Sequence, residues 1–375
     1  MVINNPFITG GYVSPEYFCD REHETKQLLH EIANGNHLAL VSTRRMGKTG
    51  LIQHCFNNEM MKTAYHTFFV DIYASKSLRD FVFLLSKSIV EDLKPMGRHV
   101  LKNFATLVKS VQAGISFDIA GNPAFNIGLG DIKSSETTLE EIFAWLNKAD
   151  KPCIVAIDEF QQIAGYAEND MEAILRTHIQ HCKNCRFIFA GSQRHMMGNI
   201  FLSASRPFYQ SVSMMHLNSI ELSQYIEFAC RHFKKAGKGI TPDTISAIYE
   251  KFEGVTWYVQ KMLNVLYGNT PKGAVCSLDM IPGAIAEVVN SYKYTYSEIL
   301  FRLPEKQKEL LIAIAKEGKA TALTSGVFVH KYKLTSASSA QVALRGLLAK
   351  DFVTQEAGEY RIYDKFFGIW LVENY

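Results

Sequence analysis

HLALVSTRRMGKTGLIQH, residues 37–54, is the stretch on which the fold turns. Leu38, Ala39, Leu40 and Val41 are apolar or small and read as a short buried strand. Leu51 and Ile52 begin the apolar side of a helix. Between them lie Ser42, Thr43, Arg44, Arg45, Met46, Gly47, Lys48 and Thr49. Strand, tight loop, Gly-Lys-Thr and helix is the order of a phosphate-binding P-loop. In such a loop the backbone N–H groups and the positive helix end point into one concavity. That assigns phosphate contacts to Arg44, Arg45, Met46, Gly47, Lys48, Thr49 and Gly50. Lys48 would set a cation on the β- and γ-phosphates, and Thr49 a hydroxyl on Mg²⁺. The pattern asks for glycine at position 42, where this chain has Ser42. Taken alone, the stretch also fits a plain helix start with a turn glycine and a solvated lysine.

A second stretch weighs on that choice. KPCIVAIDEF, residues 151–160, carries a continuous apolar run from Cys153 to Ile157, suited to a central parallel strand. Asp158 and Glu159 follow at its C-terminal end, where parallel sheets place their ligands. An aspartate there can hold Mg²⁺, and the adjacent glutamate can polarise an attacking water. Two solvated acids at a strand end are common, but with a P-loop upstream the joint reading is ATP with Mg²⁺.

The 375 residues allow two or three domains. A net charge of +3 is too small to announce a nucleic-acid binder. No run approaches a membrane span, and MVINNPFITGGYV lacks the marks of a secretion signal. Seven cysteines, an odd number, argue for a reduced, cytoplasmic protein.

Along the chain, Glu22–Ile32 reads as a helix capped by Asp20-Arg21-Glu22, against which a nucleotide base could sit. Ala64–Ile72 reads as a strand. Ser77–Leu93 reads as a helix burying Phe81, Leu84, Leu85, Ile89 and Leu93. Residues 111–128 alternate at Ile115, Phe117 and Ile119, turn at Gly121-Asn122-Pro123, and alternate again at Phe125 and Ile127, a hairpin inserted in the α/β unit. Thr138 is placed as the cap of a helix to Leu146. Arg186–Gly191 is a further strand, ending at Ser192 and Gln193, one of which can report on the γ-phosphate. Arg194 and Arg206 follow and are candidates for an arginine finger, with a salt bridge the weightier alternative. His178, His181, Cys182 and Cys185 suggest a metal check, yet the second Cys-x-x-Cys of a zinc site is absent. After Leu217 the texture is helical. Helices near Leu303–Gly318, within Thr321–Leu334, and over Thr335–Lys350 with Val342, Leu344, Leu347 and Leu348 inward, precede a hairpin about Glu356-Ala357-Gly358. That is a winged helix-turn-helix outline, a module that binds DNA or serves as a protein contact.

FCDREHE, STRRMGKTGL, IVAIDEF, FAGSQRHMM with SRPFY, EGVTWYVQ and the final YRIYDKFFGIWL together resemble the archaeal-type ATPase family, AAA+-like and STAND-related relatives of the origin-recognition ATPases. The resemblance implies an α/β P-loop NTPase core, 1–215 with the inserted hairpin near 111–130, a helical lid, 216–290, and a winged helix-turn-helix domain, 291–375. It implies ATP and Mg²⁺ at Lys48, Thr49, Asp158 and Glu159, with Ser192 or Gln193 as sensor. Thr256 stands where the family often has proline in its lid element. The expected site is therefore Glu159, Lys48 and Arg206 for catalysis, Thr49 and Asp158 for metal, and the loop residues with Gln193 for ATP. Expected partners are duplex DNA through the winged helix, a protein or a second copy, and no membrane. An oligomerising scaffold with little hydrolysis and a small-molecule kinase are the rivals.

Overall fold

The computed structural model describes residues 5–94, 98–109, 115–117, 123–125, 132, 134–168, 170–356 and 358–375, without the side chains of 98, 99, 115–117 and 123–125. Contact density divides the chain into two compact units. One is Pro6–Tyr225 with Gly254–Tyr258; the other contains Ile226–Glu253 and Val259–Tyr375.

The first unit is built on a five-stranded sheet of β1 (Leu38–Val41), β2 (His66–Asp71), β5 (Cys153–Asp158), β6 (Cys185–Gly191) and β7 (Ser213–His216). The order is β2-β5-β6-β1-β7 and every pairing is parallel. Parallel strands bury both faces, which explains the continuous apolar runs. Alternation then sorts the side chains. Leu38, Leu40, Ile154, Ala156, Ile188 and Ala190 face α1 (Glu22–Ala33), α2 (Lys48–Phe56) and α3 (Glu59–Ala64). Ala39, Val41, Val155, Ile157, Phe187 and Phe189 face the larger cluster, formed with α4 (Leu78–Leu93), α5 (Arg98–Leu107), α6 (Ser135–Lys148), α7 (Met171–His181) and α8 (Arg194–Leu202). β3 (Ile115–Phe117) and β4 (Pro123–Phe125) pair antiparallel, as the hairpin reading requires. Its other positions, Ile119, Gly121, Asn122 and Ile127, lie outside the described residues.

One expected helix start moves, while α1 begins at Glu22 as expected. The cap of α6 lies four residues before the expected one: Ser134 accepts from the Thr137 N–H, and Thr138 lies buried inside the helix. A serine preceding the apolar stripe by a full turn is the better N-cap. At α1 the cap is Arg21, in left-handed conformation and without a side-chain cap bond.

The second unit holds α10 (Pro242–Lys251) and most of α9 (Leu222–Lys235) and α11 (Thr256–Asn269). The short parallel strands β8 (Gly239–Ile240) and β9 (Val275–Cys276) join them. α12 (Met280–Arg302) runs without a break across residue 290. There follow α13 (Glu305–Glu317), α14 (Gly326–Lys331), α15 (Ala337–Ala349), the hairpin β10 (Val353–Glu356) and β11 (Glu359–Ile362), and α16 (Lys365–Asn374). This is the winged helix. α16 closes on α12, where Tyr296 stacks on Phe367 at 5.0 Å. On α15 the inward face is Ala340, Ala343, Leu344 and Leu347; Val342 is 60% exposed, contrary to expectation. Positions 340, 343, 344 and 347 follow the helical repeat, and 342 falls outside that arc.

Candidate functional site

β1 ends at Val41 and α2 begins at Lys48, so six residues make the turn. Gly47 caps the helix with φ 92° and Arg45 has φ 68°. The left-handed region favours glycine, which accounts for Gly47. Ser42 is not in that region, so the missing glycine is not required for this backbone. Ser42 is fully buried. Its Oγ donates to the Thr43 carbonyl at 2.8 Å and accepts from Lys48 Nζ at 3.2 Å. Lys48 also donates to the Thr43 carbonyl at 3.4 Å. The serine is therefore a support for the lysine.

β6 lies between β1 and β5, and this order brings three strand ends together. Thr49 Oγ1 donates to Asp158 Oδ2 at 2.6 Å. Asp158 Oδ1 accepts the Glu159 N–H at 3.0 Å, with Glu159 held at φ 55°. Glu159 Oε2 accepts from Ser192 Oγ at 2.7 Å and from Gln161 Nε2 at 2.5 Å. Arg44 Nε donates to Ser192 Oγ at 3.3 Å. Gln161 is buried and its Oε1 has no partner. The neighbouring Gly191 is closely packed: a Cβ there would meet Met197 Sδ at 2.3 Å and Gln161 Oε1 at 2.7 Å, and both side chains would have to shift.

Burial lowers the Lys48 pKa, Asp158 and Glu159 oppose that, and the charges of Arg44 and Arg194 add to the lowering. Burial raises the Asp158 carboxyl, while the Thr49 hydroxyl pulls it back. A buried lysine crowded by two arginines favours an anionic ligand. An adjacent hydroxyl and carboxylate are the oxygen donors a hard divalent cation takes. The residues present thus fit a polyphosphate with its metal.

The loop is held from outside. Arg21 Nη2 donates to the Met46 carbonyl at 3.2 Å and Arg21 Nη1 pairs with Glu24 at 2.5 Å. Thr256 Oγ1 donates to the same Met46 carbonyl at 3.1 Å, and the Trp257 N–H to the Arg45 carbonyl at 3.0 Å. The Arg45 guanidinium lies 4.4 Å from the Trp257 ring and 4.9 Å from that of Tyr258. Thr256 makes its contact through a hydroxyl that proline lacks. Arg21 was not among the expected site residues; an arginine beside the first helix gives no local sign that it is buried.

Of the other expected residues, Met46 buries its side chain in the core, leaving its backbone in the loop. Gly50 lies under Phe18, which stacks on His54 at 4.4 Å beside Tyr12. Gln193 caps α8 without a side-chain bond, and Ser192 is the strand-end residue on Glu159. Arg206 pairs with Glu172. His178 stacks on Phe143, His181 bonds to its own helix at Thr177, and Cys185 is buried in β6. No group of three or more metal-ligating side chains occurs among the described residues.

A family model for an ATPase domain predominantly from Archaea matches residues 18–262, and one for a winged helix domain matches 294–373. An uncharacterised ATP-binding protein of Methanocaldococcus jannaschii is 28% identical over 174 residues, 44% of each chain, so the match spans less than half of that curated relative. A Walker-type ATPase of Pyrococcus abyssi superposes with TM-score 0.66 at 17% identity, covering 98% of this chain and 99% of that one. The ORC2 protein of Aeropyrum pernix, solved with ADPNP and ADP, gives 0.59 at 14%, covering 98% and 95%. The ORC1 protein of the same organism, solved with DNA, gives 0.53 at 13%, covering 96% and 94%. At these identities the structural likeness is one of fold.

Proposed function

The chain belongs to the ATPase family found predominantly in Archaea, and we propose that it binds and hydrolyses MgATP as a switch whose output is the winged helix. One observation carries this reading: the 2.6 Å bond between Thr49 and Asp158, with Lys48 and Glu159 each one residue away. The ATP-binding relative and the nucleotide-bound neighbour of like fold support it.

Bound MgATP supplies the electrophilic phosphorus and a metal charge that stabilises the departing oxygens. Lys48 binds the phosphates and gains an anionic partner for its buried charge. Thr49 and Asp158 would hold the cation. Glu159 takes the proton of the attacking water through Oε1, while Ser192 and Gln161 fix Oε2. Arg44, already on Ser192, relays phosphate contact to that clamp. The Phe18–His54–Tyr12 cluster offers aromatic surface to the base. The proposed division into core 1–215, lid 216–290 and winged helix 291–375 follows these roles. Seven free cysteines suit a cytoplasmic protein, and no described helix is long and apolar enough to cross a membrane. The test is Glu159→Gln: ATP binding should persist while turnover falls by about 10²–10⁴. Turnover at the parent rate refutes the assignment of the base.

A second reading has its own observation. Ser192 and Gln161 both hold Glu159 Oε2, and a carboxylate so anchored is not free to turn toward a water, which favours a slow, scaffold-like ATPase until Ser192 or Gln161 lets go. For the output, DNA is the proposed partner, as for the solved ORC1 complex. Five basic residues lie on or beside α15 and the hairpin, Lys331, Lys333, Arg345, Lys350 and Arg361; Lys331 pairs with Glu317 at 2.7 Å, Lys350 bonds Gln307 at 3.1 Å, and Arg361 pairs with Glu253 at 2.7 Å. Lys333 and Arg345 remain as the phosphate contacts.

A further inference from the structure

The second unit contains a cavity of about 480 Å³ that none of the preceding roles uses. Four cations line it, Lys251, Lys319, Arg361 and Lys365, against two carboxylates, Glu253 and Glu373. Its apolar wall includes Phe252, Ile369 and Val372. Three of the cations converge on one carboxylate. Arg361 Nη1 lies 2.7 Å and Lys319 Nζ 3.6 Å from Glu253 Oε1, and Lys365 Nζ bonds Oε2. Burial opposes the charge of Glu253, yet Lys365, Arg361 and Lys319 hold its carboxyl below the usual value. Arg361 Nε is buried without a partner. Glu253 follows the end of α10 with φ 54°, the left-handed conformation that closes many helices.

We propose that this cavity binds an acidic, apolar peptide segment of a partner protein, whose carboxylate replaces that of Glu253 on Lys319, Arg361 and Lys365. The volume falls within the roughly 300–1,000 Å³ of ordinary ligand pockets, room for a few side chains. The excess of cations calls for an anion. The apolar wall calls for a side chain beside it, which a nucleic-acid backbone does not carry. Glu253 is thus an internal stand-in for the ligand.

The next residues in the chain are Gly254–Tyr258, the segment bonded to the Arg45 and Met46 carbonyls of the phosphate loop. Release of Glu253 changes the tether of that segment. Peptide and nucleotide occupancy are therefore linked, each shifting the other by one factor. This linkage rests on the nucleotide reading; the peptide site does not.

The test uses the full chain and a fluorescent hexapeptide of alternating glutamate and leucine, read by anisotropy at low salt. The parent protein should bind it. Glu253→Gln should tighten binding about threefold to tenfold, the worth of a partly exposed ion-pair network. Arg361→Ala with Lys365→Ala should weaken it at least as much. If that pair fails to fold, as judged by thermal melting, the exposed Lys319→Ala should still weaken binding. Equal binding of a lysine–leucine peptide, indifference to Glu253→Gln, or displacement by a short DNA duplex overturns the proposal. For the linkage, the affinity of a fluorescent ATP analogue should change on peptide saturation by the factor that nucleotide imposes on the peptide. An unchanged analogue affinity overturns the linkage. An analogue that never binds refutes the nucleotide reading and with it the linkage, while peptide binding stands on its own measurements.

Discussion

Replacing Arg206 with alanine should destabilise the protein through Glu172. The Glu172 side chain is 9% exposed and pairs through Oε1 with Arg206, which is 40% exposed. Its Oε2 is already buried without a partner. Arg206→Ala leaves both carboxylate oxygens unpaired. Breaking a buried pair from one side costs about 3–5 kcal/mol. Because Arg206 is well solvated, the expected loss is smaller, about 1–3 kcal/mol, or a fall of roughly 2–10 °C in melting temperature. Burial raises the Glu172 pKa, and Arg206 lowers it. In the variant it should rise further. A carboxyl whose folded pKa lies above its unfolded one binds more protons when folded, so stability falls as pH rises between the two values. The deficit of Arg206→Ala should therefore be full near neutrality and shrink as pH drops toward the usual glutamate range. Adding Glu172→Gln should recover most of it. Thermal melts of the parent, the single and the double variant across pH make the measurement. An unchanged melting temperature, with turnover lost about 10³-fold and dependent on protein concentration, would refute this reasoning and make Arg206 a finger supplied between copies.

Lys48→Ala should abolish or greatly weaken MgATP binding by calorimetry; undiminished affinity removes the P-loop reading. Ser42→Gly should retain ATP affinity within about tenfold while lowering stability by about 1 kcal/mol, since the hydroxyl supports Lys48 but φ at 42 needs no glycine; an affinity loss well beyond that would give the hydroxyl a direct part in phosphate binding. Asp158→Asn should raise the Mg²⁺ concentration needed for half-maximal turnover, and an unaltered requirement would move the metal elsewhere. Lys333→Glu with Arg345→Glu should remove weak, steeply salt-dependent duplex binding by the full chain at about 50 mM salt; binding indifferent to the reversal would favour a protein contact.

The sequence by itself determined the parts whose signals are local. A four-residue apolar strand running into Gly-Lys-Thr and a helix is a contiguous pattern, and Gly47 at φ 92° is the residue type its backbone demands. The run from Cys153 to Asp158 announces a strand buried on both faces, and the period over α4 announces its inward side. Signals of this kind depend on neighbours a few positions away. Tertiary structure alone decided the pairings across long spans. Thr49 meets Asp158 from 109 residues away, and Ser192 meets Glu159 from 33, because β6 inserts between β1 and β5. Arg21 is buried under the loop it supports, Arg206 is committed to Glu172, and Glu253 gathers cations more than sixty positions downstream. Strand order and the closing of such loops are settled by which buried faces and charges can be satisfied together, and that joint condition leaves no mark in any short stretch of chain.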